Sequence, residues 1–279
     1  MTGHTSIPTP AGVFDAVVEG PPGGRPVLLL HGFPQSGLTW ERQVAALAAQ
    51  GHRVAAPDLR GYSPRVRPEN PSAYRMDLLV DDVLAIADAL GWPAFDLVGH
   101  DWGGALAWWT ADAHPGRLRT LTVVSTPHPG ALAETLRTDD DQRRRSQYMR
   151  DWRAPDTERR MLADGAAELR ALVDGALPPG RLEAYLRRLR EPGALTGALN
   201  WYRAGRPGRE IGVVEVPTLY VWSTDDTAFG PAAAHATGRW VSGPYRFETL
   251  RGVSHWVPEE APEALNELVL RHLRDHAQH

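Results

Sequence analysis

The stretch FDLVGHDWGGA, residues 95–105, sets one acid, Asp101, between a short apolar run and the start of a helical pattern, with Gly99, Gly103 and Gly104 around it. Small residues on both sides suit a tight strand-to-helix turn that pushes one side chain into a cleft. That is the geometry of a nucleophile elbow, here with aspartate where serine is the usual occupant. An aspartate before a helix also serves as an N-cap, so other residues must decide. HGFP, residues 31–34, follows the apolar run PVLLL, and its loop can aim the Phe33 backbone N–H, together with that of Trp102, at an oxyanion. His255 in GVSHWVP follows the last strand-like run. The acids of VWSTDD precede it, with Asp226 as first candidate and Asp225 as second for orienting a histidine. A Gly-Pro turn, one histidine among 11 and a turn aspartate are each commonplace. All four features in the order nucleophile, acid, histidine are not.

The elements that would position these residues alternate along the first half of the chain. VFDAVVEG, PVLLLHG, HRVAAPDL, FDLVGH and LRTLTVVS read as strands; TWERQVAALAAQ, MDLLVDDVLAIADAL and GGALAWWTADA read as helices. This rhythm predicts an α/β fold with a mostly parallel sheet flanked by helices. It stops after STPHPG. From about residue 132 to 211 the pattern is helical, rich in Arg, Leu and Ala and punctuated by LPPG, EPG and GRPG, which predicts a helical insertion. Strand rhythm resumes with VPTLYVWS, a short helix over 232–240, YRFETL, and a final helix in PEEAPEALNELVLRHL. The expected division is a core of residues 1–131 and 212–279, with a helical domain of residues 132–211 inserted after the sixth strand.

Composition narrows the function classes. A formal net charge of −4 provides no electrostatic footprint for nucleic acid or an acidic membrane surface. The basic residues are all arginine, scattered over every segment, so Schiff-base chemistry through lysine is excluded. Without cysteine there is no disulfide or thiolate metal site. The start, MTGHTSIPTP, lacks a basic and apolar leader, and no apolar run approaches a membrane span. A cytoplasmic protein, monomeric or homodimeric, is expected.

The segments HGFPQSGLTW, PDLRGYSP, VGHDWGGALAWW, NWYR and GVSHWVPEEAPE resemble, in the same order and at similar spacing, those of the α/β-hydrolase family, and within it the epoxide hydrolases. The resemblance covers nearly the whole chain. It implies an α/β-hydrolase fold with a helical cap, and two cap tyrosines above the nucleophile, here Tyr202 in LNWYR and Tyr148 in SQYMRDWRAP. It also implies the reaction: an ionised Asp101 attacks an epoxide carbon, the tyrosines donate to the leaving oxygen, and His255 oriented by Asp226 activates water against the resulting ester. Phe33, Pro34, Trp102, Trp152, Trp201 and Trp256 are expected around a small-molecule epoxide, and Trp108, Trp109 and Trp222 also hint at an aromatic cavity. No cofactor or metal is called for. Haloalkane dehalogenases share the aspartate and the ester route, and need N–H donors for halide that Trp102, Trp152 and Trp201 would supply; Phe33, however, stands where many of them carry asparagine. A silent ligand-binding relative would have no need of nucleophile, base and acid together.

Overall fold

The computed structural model of the chain describes residues 4–173, 175–205 and 209–277. The first three residues of the chain and residues 206–208 of the GRPG punctuation lie outside the described residues. The strands are β1 (His4–Thr9), β2 (Gly12–Glu19), β3 (Pro26–Leu30), β4 (Arg53–Pro57), β5 (Phe95–His100), β6 (Leu118–Val124), β7 (Thr218–Asp225) and β8 (Tyr245–Ser254). They form one sheet in the order β1-β2-β4-β3-β5-β6-β7-β8. β2 runs antiparallel to both its neighbours, and the six strands from β4 to β8 are mutually parallel.

The sheet is covered on both faces, and its central strands β3, β5 and β6 are buried at nearly every position. Successive side chains point to opposite faces. Leu28 and Leu30 of β3 and Leu97 of β5 therefore join one core, with α2 (Met76–Ala89) and α3 (Trp102–Ala113). Val27, Leu29 and Val98 join the other, with α1 (Glu41–Ala49) and the C-terminal helices. A buried ion pair closes the floor of β5: Asp96, fully buried, receives Arg25 at 2.6 and 2.7 Å and the Thr120 hydroxyl at 2.7 Å.

Between β6 and β7 lie the helices α4 (Pro129–Thr138), α5 (Asp140–Arg145), α6 (Tyr148–Asp151), α7 (Thr157–Leu162), α8 (Ala167–Leu172), α9 (Arg181–Leu189) and α10 (Ala194–Arg203), followed by a single β-bridge from Val214 to Val241. After β7 come α11 (Pro231–Ala236), α12 (Val257–Glu260) and α13 (Pro262–Asp275). No helix among the described residues is long and apolar enough to cross a membrane.

Three elements differ from the pattern read in sequence. β1, His4–Thr9, is a strand with no apolar alternation; only Ile7 is buried, and six backbone pairings with β2 hold this edge strand. β8 extends four residues beyond YRFETL to reach Ser254, so its end delivers His255. The final helix is two helices, because Ala261 precedes Pro262 and its backbone (φ −129°, ψ 52°) leaves the helical region as the proline ring demands.

Candidate active site

Asp101 sits between β5 and α3 with φ 52° and ψ −120°, a conformation that costs a non-glycine residue energy and is retained where surroundings force it. The packing around the turn supplies that force. A Cβ on Gly99 would stand 2.2 Å from the Gly103 carbonyl oxygen, and one on Gly103 would stand 2.1 Å from that of Leu30. Helix α3 therefore touches the sheet backbone. The Thr126 hydroxyl anchors the Asp101 carbonyl at 2.7 Å. The Asp101 side chain makes no capping bond to α3, so the capping role open in the sequence is not the one it plays.

Its carboxylate is spanned by two groups. Phe33 N–H donates to Oδ1 at 2.8 Å, and His255 Nε2 lies 3.5 Å from Oδ2. Burial would push the carboxyl pKa up, but His255 and the Trp102 backbone N–H outweigh it and hold the group below the usual carboxylate value. Asp101 is an anion at neutral pH.

His255 Nδ1 lies 2.9 Å from Asp226 Oδ2. The other Asp226 oxygen accepts the backbone N–H groups of Ala228 and Phe229 at 2.7 and 2.9 Å, which fixes the carboxylate's orientation. Asp225 points to solvent, where the Thr224 hydroxyl donates to it. Burial alone would lower the His255 pKa; Asp226 and Asp101 overcome this and raise it to about 10. The ring is an imidazolium between two carboxylates.

Two cavities, of about 170 and 120 Å³, meet at the same three residues, Asp101, Tyr148 and Tyr202. The larger is lined by Trp102, Trp109, Trp201, Met76, Leu79 and Phe229 among others. The smaller holds His255, Phe33, Trp152, Trp256, Leu172 and Thr227. Burial and the Asp101 charge push both phenols well above their ordinary pKa, so both are neutral donors. Tyr202 packs edge-on against Phe33, Trp102 and Trp152.

The other sequence candidates are distributed. Trp152, Trp201 and Trp256 line the cavities, while Pro34 lies in a separate small cleft beside Tyr62 and Tyr185. Trp108 and Trp222 are core residues whose indole N–H groups go to the carbonyls of Thr126 and Phe229. The sequence reading passed over Gln35, His100 and Glu259, which stand within the quoted motifs HGFPQ, VGHDWGG and HWVPEE and form a buried polar chain beside His255. Their place in those motifs was the only signal.

A carboxylate elbow over a parallel sheet, faced by a histidine and acid from later loops, defines a hydrolase of the α/β type. The family model for the alpha/beta hydrolase fold matches residues 25–262, and the chain belongs to that family. Among its members the chain is similar to epoxide hydrolases. It is 32% identical to Epoxide hydrolase 4 of Mus musculus, over 94% of this chain and 76% of that protein. It is 31% identical to Epoxide hydrolase A of Mycobacterium tuberculosis, over 94% of each. A solved epoxide hydrolase of the same superfamily, from metagenomes of hot environments, superposes with a TM-score of 0.89 at 31% identity, covering 98% of this chain and 99% of its own. The epoxide hydrolase of Bacillus megaterium, solved with an inhibitor, also gives 0.89 at 26% identity, over 97% of this chain and all of its own.

Proposed function

We propose that the protein hydrolyses an epoxide to a vicinal diol through an ester on Asp101, under a helical cap formed by residues 132–211. The observation that carries this reading is the meeting of Asp101, Tyr148 and Tyr202 where the two cavities join. A carboxylate ionised at neutral pH attacks carbon without a base. The alkoxide it releases is far more basic than a phenol, so neutral tyrosines protonate or hydrogen-bond it as the ring opens.

The second half-reaction follows from the charge of His255. In the free enzyme its proton is held by both carboxylates. Ester formation removes the Asp101 charge, and the tyrosine that gives its proton to the opened epoxide oxygen is reprotonated from His255, which lines the same cavity and is left neutral. A neutral His255, held at Nδ1 by Asp226, then removes a proton from water as the oxygen attacks the Asp101 acyl carbon. Phe33 and Trp102 N–H groups, already on the carboxylate, receive the tetrahedral oxyanion. Collapse expels the diol oxygen, which takes the remaining proton of the attacking water, restores the Asp101 carboxylate and leaves the other proton on His255.

The dehalogenase alternative needs indole N–H groups free for halide. That of Trp201 donates to the Arg60 carbonyl at 2.9 Å, which takes it out of that role and favours epoxide over haloalkane. The test is a panel of styrene oxide, aliphatic epoxides and haloalkanes with diol and halide release read side by side. Diol from epoxides without halide release supports the reading; halide release alone overturns it.

A further inference from the structure

Resting on the ester mechanism just proposed, we infer that Glu259, Gln35 and His100 form a buried positioning relay, with Glu259 an uncharged carboxylic acid, which ties Tyr185 of the cap to the backbone of His255. The chain of contacts is continuous. Tyr185, on α9, donates to Glu259 Oε1 at 2.7 Å. Glu259 Oε2 lies 2.6 Å from the Gln35 amide, whose other atom lies 3.1 Å from His100 Nδ1. His100 Nε2 lies 2.9 Å from the His255 carbonyl oxygen, which the Ser125 hydroxyl also meets at 3.1 Å.

Hydrogen-bond chemistry limits where the protons sit. The His255 carbonyl only accepts, so His100 Nε2 carries a hydrogen. With the Gln35 nitrogen toward Glu259, its oxygen faces Nδ1, which must then be protonated too; His100 becomes a wholly buried imidazolium beside a buried carboxylate. Turning the Gln35 amide over, a change invisible in its shape, lets its N–H donate to Nδ1 of a neutral ring. Its oxygen then faces Glu259 Oε2 at 2.6 Å, and two oxygens sit that close only with a proton between them. Both arrangements contain the same number of protons. One holds two ions and the other none.

The surroundings select the uncharged arrangement. His100 is fully buried, its ring centroid is 4.9 Å from that of the protonated His255, and burial and that charge lower its pKa to about 4 against the opposing pull of Asp101 and Asp226. Burial raises the Glu259 carboxyl, with Tyr185, Gln35, Arg181 and Thr39 acting against it. Among the described residues, Arg181 is the one cation facing Glu259, 3.3 Å from Oε1. Its charge is already met by Glu41, and it also donates to the Leu38 carbonyl at 3.0 Å. Because Glu259 follows His255 by four residues, the relay closes a ring through α12 that fixes the loop carrying His255, and the Tyr185 hydroxyl completes it when the cap is seated.

The test uses the full chain labelled with ¹⁵N-histidine. His100 ring nitrogens, assigned by their loss in His100→Asn, are expected to give a neutral ring with hydrogen on Nε2 alone, unchanged in Glu259→Gln, whose amide supplies the same donor as an uncharged acid. A doubly protonated ring, or a ring changed by Glu259→Gln, overturns the uncharged relay. Tyr185→Phe is expected to slow ester hydrolysis about 5-fold or more while ester formation stays within about 2-fold, so that the ester accumulates in intact-mass measurements; equal slowing of both steps, or of neither, overturns the link to the cap. The NMR readout needs no substrate, so failure of the relay is distinguishable from failure of the epoxide reading.

Discussion

His255 stands between two carboxylates, its Nδ1 2.9 Å from Asp226 and its Nε2 3.5 Å from Asp101. The two contacts have different lifetimes in the proposed cycle. Asp226 keeps its charge throughout, whereas Asp101 loses its charge when it is alkylated, and that loss turns a proton-holding imidazolium into a base.

His255→Gln is therefore expected to react once with an epoxide and stop. Intact-mass measurement should find a substrate adduct on the peptide containing Asp101, and none in Asp101→Ala. In single turnover of the unaltered enzyme in heavy-oxygen water, label should enter the Asp101 carboxylate and leave the first diol unlabelled. Labelled diol at the first turnover would mean that water attacks the epoxide directly.

Replacing Tyr202 with phenylalanine removes one of two neutral donors beside Asp101. Ring opening should slow by roughly 10²-fold to 10⁴-fold, less where Tyr148 compensates. Stopped-flow tryptophan fluorescence, with Trp102 and Trp152 packed against Tyr202, reads that step. An unchanged rate would leave Tyr202 as a cavity wall only.

The raised His255 pKa also predicts a pH dependence of stability. A histidine that binds its proton more tightly folded than unfolded stabilises fully below about pH 6.5, its unfolded value. That contribution should decline as pH rises and be gone once pH passes about 10. Chemical denaturation of the parent and of His255→Gln should differ most near pH 6 and converge toward pH 10; a difference that grows with pH would contradict the ion arrangement.

Gly103→Ala tests the close approach of α3 to β3. With a Cβ 2.1 Å from the Leu30 oxygen, the helix must shift away from the sheet. The expected loss is on the order of 2–3 kcal/mol, read as a lowered midpoint in denaturant, with activity lost beyond what the loss of folded protein explains because Asp101 moves. Gly116→Ala, where a Cβ meets open space, is the control and should leave both unchanged.

Much of this protein is written locally. Apolar runs such as Val27–Leu30, and Phe95–Val98 interrupted only by Asp96, suit a strand buried on both faces, and Gly99, Gly103 and Gly104 permit the tight turn at Asp101, so the parallel core and the elbow are legible from neighbours in the chain. The order of Asp101, Asp226 and His255 is likewise visible without coordinates. What tertiary structure decided involves partners far apart in sequence. It placed Asp226, and not the adjacent Asp225, on His255, because β7 ends by turning one acid inward and the other to solvent. It sent the Trp108 and Trp222 N–H groups to core carbonyls and brought Tyr148 and Tyr202 to one cavity. It also joined Gln35, His100 and Glu259, up to 224 residues apart. A polar side chain has no periodicity that names its partner, and only the closure of the fold around it determines which donor and acceptor it must satisfy.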